Sequence, residues 1–302
     1  MKKTIGIVIV NYRTYEKLER AIESLHASLL AKNTSIFLAV VDSESNQSKL
    51  KKIKHRYPNL DYLVFPENIG CGKAYNSGVL HLNAKCSPKY LLLMNADAWI
   101  EKETLMKLIK RMDDDENLAA VSPKILLPTR PAKIYFAGGK IDPLRMSGGH
   151  LNYREIDSGK YASHGETDFI NMAVALLRTR PVLKVGLFDP DYFLYYEDTD
   201  LSWRLVKSGY RIAVELKAVA WHDTSEESNS ARSHYYLARN LLRFIRKHAS
   251  VYAQLRAYLA TVKEIIKKTI ELLVHPKKRI TNYYTILGIV DGFLNVSGQK
   301  DF

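Results

Sequence analysis

At 302 residues, with 46% hydrophobic and 25% charged side chains, the chain has the make-up of an ordinary globular protein and excludes a disordered or fibrous one. Its two cysteines, Cys71 and Cys86, exclude a disulfide scaffold and a CxxC metal or redox pair, which suits a reducing compartment. The net charge is +13, and residues 228–302 hold 13 Lys/Arg against 4 Asp/Glu, so the C-terminal quarter calls for an anionic partner without naming it.

The opening MKKTIGIVIVNYRTYEK mimics a signal peptide, but its apolar run, Ile5 to Val10, stops at Asn11 with no small-residue cleavage site and predicts a buried strand. Thr14 then predicts the N-cap of a helix whose apolar face is Leu18, Ile22, Leu25 and Leu29. A strand from Ile36 to Val41 closes on Asp42, and another from Leu60 to Phe65 runs into the turn Pro66-Glu67-Asn68-Ile69-Gly70. Helical spacing follows over Lys73 to Leu82, and the strand Tyr90 to Met94 ends at Asn95-Ala96-Asp97. This alternation predicts an α/β fold with a mostly parallel, doubly wound sheet. In such sheets ligands lie outside the carboxyl ends of the strands, an edge that here collects Asn11, Asp42, Asn68 and Asp97. Beyond residue 120, Gly138-Gly139 and Gly148-Gly149 bracket a hairpin or loop, and an apolar run follows from Phe169 to Leu177. A helix from Asp198 to Lys207 stops at Gly209, a short strand covers Arg211 to Val214, and the chain is helical from Ser233 with a break at Pro276. No segment offers roughly 20 uninterrupted apolar residues, so none is expected to span a bilayer.

Three segments could carry chemistry. Asn95-Ala96-Asp97 reads either as a polar turn or as a strand-end carboxylate for a hard divalent cation that takes its other ligands from phosphate and water. Glu197, Asp198 and Asp200 put three carboxylates within four residues, which suits either a helix N-terminus or a general base drawn from that group. Trp221-His222-Asp223 offers an imidazole that is either structural or a metal ligand oriented by Asp223. Two classes fail: Asn11-Tyr12-Arg13-Thr14 stands where a dinucleotide-binding glycine fingerprint belongs, and no Walker A sequence occurs.

The order of these pieces resembles the inverting GT-A glycosyltransferases of family 2, in particular the rhamnosyltransferase-like members that build bacterial surface polysaccharides of the cell envelope. The resemblance rests on Val10-Asn11-Tyr12, Val41-Asp42-Ser43-Glu44-Ser45, Glu67-Asn68-Ile69-Gly70, Asn95-Ala96-Asp97, Gly186-Leu187-Phe188-Asp189, the run from Glu197 to Arg204, and His222. It implies a GT-A catalytic domain over residues 1–225, with a nucleotide-sugar half to about residue 100 and an acceptor half beyond it, and a basic helical region over 226–302. It implies a nucleotide-diphosphate sugar donor, such as dTDP-rhamnose or a UDP-sugar, and a saccharide or lipid-linked acceptor. Asn11, Asp42, Asn68, Gly70, Asn95 and Asp97 would bind the donor, with Asp42 toward the base or ribose. Asp97 and His222 would hold Mg²⁺ or Mn²⁺ on the diphosphate, and Asp198, beside Glu197, would deprotonate the acceptor. Two departures stand out: Asn95 replaces the first aspartate of a full D-x-D, and Ser43-Glu44 replaces the family's usual residues after Asp42, which leaves donor identity open.

The implied place is the cytoplasm, peripheral on the inner face of the membrane. Val262 to Val274 reads either as an amphipathic surface for anionic lipid or as a helix packed on the catalytic domain with a solvated basic face. Arg232 and Arg239 read as phosphate contacts or as solvated helix face. Nucleic acid is disfavoured, since no zinc finger or aromatic RNA-binding pattern is present. The alternative to an enzyme is a non-catalytic binder of nucleotide sugar or nucleic acid on the same fold.

Overall fold

The computed structural model describes residues 3–28, 34–142, 146–159, 164–224 and 230–302. The first apolar run forms strand β1 (Lys3–Tyr12), whose buried face packs under helix α1 (Tyr15–His26) through Leu18, Ile22 and Leu25. Leu29, the last residue of the expected apolar face, lies outside the described residues. Thr14 occupies the N-cap but makes no side-chain cap bond; its hydroxyl and amide both turn to Asn11 Oδ1 instead. Strand β2 (Thr34–Ser43), helix α2 (Gln47–Arg56), strand β3 (Asp61–Phe65), helix α3 (Cys71–Cys86) and strand β4 (Tyr90–Asn95) complete the first half. Helix α2 has only Leu50 and Ile53 buried, too few apolar positions to announce itself in a lysine-rich stretch.

Across this half the sheet is parallel, in the order β4-β1-β2-β3, with Val10 opposite Asn95 and Asn11 opposite Asp42. That register sets Asn11, Asp42 and Asn95 side by side at one edge. The second half turns the sheet mixed. After strand β5 (Ala98–Ile100) and helix α4 (Thr104–Asp113) come β6 (Leu118–Leu127), β7 (Lys133–Phe136), the glycine hairpin β8 (Gly139–Ile141) and β9 (Gly148–His150), then β10 (His164–Glu166) and β11 (Val174–Arg178). Strand β11 inserts antiparallel between β4 and β6. Of the apolar run from Phe169 to Leu177, only this last part is strand, because residues 169–173 turn across the sheet edge into the core.

Helix α5 (Thr179–Lys184) and a short 3₁₀ turn at Pro190–Tyr192 lead to helix α6 (Glu197–Lys207), which stops at Gly209 with φ +85°. Strand β12 (Arg211–His222) is far longer than the expected Arg211–Val214, because it runs parallel to β6 and then captures β5 antiparallel at its far end. The chain closes with α7 (Ala231–His248), α8 (Val251–Val274) and α9 (Arg279–Phe293). Pro276 breaks the helical stretch as expected, but a second break precedes it at Ala249, where Ser250 caps α8 by accepting from the amide of Ala253. Leu242, Phe244 and Ile245 of α7 join the main core beside the sheet, so this helix packs directly on it.

Candidate functional site

At the parallel edge, Asn11 and Asp42 are fully buried and bonded to each other, Asn11 Nδ2 donating to Asp42 Oδ1 at 2.6 Å. Tyr15 donates its hydroxyl to Asp42 Oδ2 at 2.9 Å and accepts the Asn46 amide at 2.6 Å. Each oxygen of Asp42 thus holds the start of α1 and the loop after β2 in place, leaving lone pairs rather than open surface. Beside them lies a cavity of about 360 Å³ lined by Arg13, Tyr15, Glu44, Ser45, Asn46 and Lys49. Arg13 and Glu44, both in the left-handed region, pair across it. A second concavity, lined by Lys54, Asp61 and His81 among others, sits at the opposite end of β3 and carries none of the candidate residues.

Asn68 shapes the next turn, its Oδ1 accepting the Gly70 amide at 3.0 Å. Gly70 has φ +80°, and a Cβ there would sit 2.7 Å from the carbonyl oxygen of Phe193, so only glycine lets the N-terminus of α3 close on the loop before α6. Asn95 accepts the Tyr75 hydroxyl at 2.7 Å, and Tyr75 also donates to the Met172 carbonyl. Nothing in the local sequence pointed to Tyr75, which reads as an apolar helix position.

Asp97 and His222, 125 residues apart, meet because β5 pairs with the end of β12, with Ala98 opposite His222. His222 Nε2 lies 3.0 Å from Asp97 Oδ1, and the Asp97 side chain keeps 20% of its surface open. The other ring nitrogen, Nδ1, is buried without a hydrogen-bond partner among the described residues. A carboxylate oxygen and an imidazole nitrogen at one point fit a hard or borderline divalent cation. Among the described residues no group of three His, Cys, Asp or Glu could hold a metal, so any cation here would need phosphate and water to complete its shell. Tyr135 stacks edge-on against His222 with ring centroids 4.8 Å apart, and His150 and Tyr153 extend this aromatic wall. Sequence reasoning missed the wall, since its members come from separate strands and turns.

Helix α6 opens after three non-glycine residues with positive φ, Phe193, Tyr195 and Tyr196, a strained approach. Asn240, fully buried on α7, holds it down: its side-chain amide donates to the carbonyls of Tyr192, Leu194 and Tyr195 at 2.7–2.8 Å. Arg239 adds a bond to the Tyr192 carbonyl and another to Gly298. Arg239 is therefore neither a phosphate contact nor solvated face, because its guanidinium is buried on backbone carbonyls; Arg232 is exposed and lies over the Phe302 ring.

The strained entry sets Glu197 and Asp198 beside the start of α3, in a crevice where a Cβ on Gly72 would stand 3.7 Å from the Glu197 Cβ. Burial pushes both carboxyls up, and the charge of Asp198 pushes Glu197 further; Oε2 of Glu197 is buried without a partner among the described residues. Asp198 instead has the Thr199 amide at 2.7 Å and hydroxyl at 3.2 Å, which favour its charged form. The Thr199 donors thus favour the charge on Asp198 and the proton on Glu197. Asp97, Glu197 and Asp198 all raise Cys71 and Tyr75, which places the Asp97 and Asp198 segments around one space at the start of α3. Burial is the larger cause of the raised Cys71 thiol, and such a thiol is no nucleophile. Asp200, the third carboxylate, turns away from this space and is paired with Arg204, Lys247 and His248.

Residues 6–130, which build the parallel half of the sheet and end past Asp97, match the family model described as glycosyl transferase family 2. Over that segment the chain is similar to the family. The chain is 24% identical over 219 residues to the poly-beta-1,6-N-acetyl-D-glucosamine synthase of Staphylococcus aureus (strain COL), covering 72% of this chain and 49% of that protein. It is also 24% identical over 255 residues to the N-acetylglucosaminyl-diphospho-decaprenol L-rhamnosyltransferase of Mycobacterium tuberculosis (strain CDC 1551 / Oshkosh), covering 78% and 81%. The chain spans about half the length of the glucosamine synthases it matches. Among solved structures it superposes on GalNAc-T7 with UDP, GalNAc and Mn²⁺ at a TM-score of 0.66 and 14% identity, over 97% of this chain and 56% of that one. The fold is thus GT-A-like, a mixed sheet with flanking helices and a helical C-terminal region.

Proposed function

We propose that the chain moves a sugar from a nucleotide-diphosphate donor to a saccharide or lipid-linked acceptor by a single inverting displacement. The observation that supports this best is the meeting, around one crevice, of the Asp97–His222 pair with the Glu197–Asp198 pair, where burial pushes both carboxyls up and the Thr199 donors favour the charged form of Asp198. In this reading Asp198 accepts the acceptor hydroxyl's proton as its oxygen attacks the anomeric carbon, and Glu197, neutral, spares the site a second negative charge. Asn11 and Asp42 set the floor of the nucleotide end, and the adjoining cavity at Arg13, Tyr15 and Lys49 receives the base or ribose. Asn68, Gly70 and Asn95 shape the turns between that end and the crevice.

Asp97 and His222 would hold Mg²⁺ or Mn²⁺, which when bound offsets the charge that grows on the departing nucleoside diphosphate. The relatives support the acceptor class by their names, one a polymer synthase and one acting on a diphospho-decaprenol acceptor, and the GalNAc-T7 structure holds Mn²⁺ with UDP. The test is incubation of the purified chain with a panel of UDP-, GDP- and dTDP-sugars, with and without Mn²⁺, reading nucleoside diphosphate release. Release with one donor, dependent on Mn²⁺, is expected; tight binding of a donor without release under any condition would leave a non-catalytic binder. Asp97→Ala should weaken nucleotide affinity in Mn²⁺ by about tenfold or more in calorimetry, and equal affinity would remove the metal assignment.

A further inference from the structure

Helix α8 buries one face on its neighbours through Ala253, Ala257 and Ile265, yet a second apolar face is left open. Leu255, Leu259, Val262, Ile266, Ile270 and Leu273 are all exposed, Leu273 at 70%, and their spacing of three and four residues puts them in one line along the helix. A 24-residue helix is about 36 Å long, so this is a continuous ridge rather than scattered side chains. Arg256, Lys263 and Lys267, all exposed, follow the same ridge on one flank, and Lys277, Lys278 and Arg279 close its C-terminal end. The acidic residues of α8, Glu264 and Glu271, lie on the other side and are both paired with Lys268. The open face is therefore apolar with a rim of cations only.

We infer that this ridge rests in the interface of an anionic lipid bilayer, with α8 lying parallel to the membrane plane. The charge pattern selects this occupant over a second copy of the chain, because a symmetric pairing would set Arg256, Lys263 and Lys267 against their own kind with no free carboxylate on the rim to offset them. Among the described residues no helix is long and apolar enough to cross a membrane, so the contact is in-plane. Of the two readings of this segment, an amphipathic surface for anionic lipid and a helix packed on the catalytic domain with a solvated basic face, the exposure of Ile266, Ile270, Leu273 and Val274 supports the first. Lys268 acts electrostatically on His234, and Ser233 accepts the Tyr195 hydroxyl at 3.1 Å, so α8 approaches the strained entry to α6. If the sugar-transfer reading above also holds, the crevice then opens near acceptors carried in that surface.

The test is flotation of the full chain with vesicles of phosphatidylcholine alone and of phosphatidylcholine doped with phosphatidylglycerol, at low and high salt. Binding to the anionic vesicles at low salt, released by high salt, is expected, and it reads nothing of catalysis. Leu259→Asp with Ile266→Asp, and separately Lys263→Glu with Lys267→Glu, should each lower partitioning by about tenfold or more with an unchanged melting temperature. No flotation of the wild-type chain at low salt would overturn the inference, as would flotation that neither pair of substitutions changes. A concentration-dependent dimer in sedimentation velocity, dissolved by the same substitutions, would assign the ridge to a second copy instead. The lipid and salt dependence of the wild-type chain decides the matter even if a variant fails to fold.

Discussion

The two sides of the first turn of α6 carry carboxylates of the same kind in opposite electrostatic states. On the crevice side, Glu197 is buried and Asp198 half-buried, and desolvation pushes both carboxyls up despite the Thr199 donors on Asp198. On the other side, Asp200 is more completely enclosed, and burial alone would push it up too. His248, Arg204 and Lys247 overcome that and hold it well below the ordinary carboxylate range. Position on the helix thus decides between a group that can exchange a proton near neutral pH and one that cannot. A helix N-terminus stabilises negative charge on both sides, so the difference comes from the neighbours rather than from the helix.

The largest effect expected from breaking this contrast is on the crevice side. Asp198→Asn keeps the shape and cannot take a proton, so the transfer rate should fall by about 10²- to 10⁴-fold while donor affinity stays near the wild-type value. Glu197→Gln, which mimics the protonated state assigned here, should cost far less. Transfer kinetics of the two variants with one donor decide it: an active Asp198→Asn beside a dead Glu197→Gln would move the base to Glu197. If both variants stay active, the pair only opens the helix. Because the base must be charged, the rate should also fall on the acid side at a pH above the ordinary aspartate value, following the raised carboxyl of Asp198.

On the opposite side the effect should appear in stability. Asp200→Asn leaves Arg204 and His248 facing a neutral amide in a buried place, a change that typically costs about 3–5 kcal/mol. Chemical denaturation should show that loss at neutral pH. A loss under about 1 kcal/mol would mean that the cations relax to solvent and that Asp200 is no hub.

These two sides were unequally legible in the sequence. The strand-end residues Asn11, Asp42, Asn68 and Asp97 could be aligned on one edge because strand period and turn residues are local signals, and the parallel register of β1 and β2 sets Asn11 directly opposite Asp42. The bond between Asp97 and His222 could only be suspected, since it depends on β5 pairing with β12. Asp200 read as one more member of an acidic trio, because its partners Lys247 and His248 come from a helix that approaches only after the fold is complete. Arg239 read as a phosphate contact or solvated helix face for the same reason, since the carbonyls it binds come from distant loops. The break between α7 and α8 is carried by Ser250 capping the second helix, a weaker mark than the proline at 276.

Asn240 ties the two sides together, since it fixes the loop from which α6 starts. Asn240→Ala should destabilise the protein by about 1–3 kcal/mol through the carbonyls it leaves unpaired. If its role is positioning rather than packing alone, the same variant should lower kcat at a temperature where it is fully folded, with donor affinity little changed. A variant that is less stable yet turns over at the wild-type rate would restrict Asn240 to stability.

The most direct reading of the contrast is a change of slope rather than of a single value, because it appears as two slopes of opposite sign in stability against pH. Glu197 holds its proton more tightly folded than unfolded, so its contribution is fully present below the ordinary glutamate value of 4.5 and is lost as pH rises through the raised folded value. Asp200 holds its proton less tightly folded, so its contribution is present above the ordinary aspartate value of 3.8 and is lost as pH falls toward the depressed one. Glu197→Gln should therefore match the wild type in acid and become the more stable of the two as pH rises above about 4.5, by at most about 1.4 kcal/mol per pH unit across the window. Asp200→Asn should instead flatten the acid limb and leave the alkaline one unchanged. Urea midpoints measured across the pH range for the three proteins separate the cases. If Glu197→Gln runs parallel to the wild type throughout, the glutamate is ionised in the fold and Asp198 has no protonated neighbour to relieve it. If the curves part only above that value, one helical turn holds a proton on one side and a permanent charge on the other.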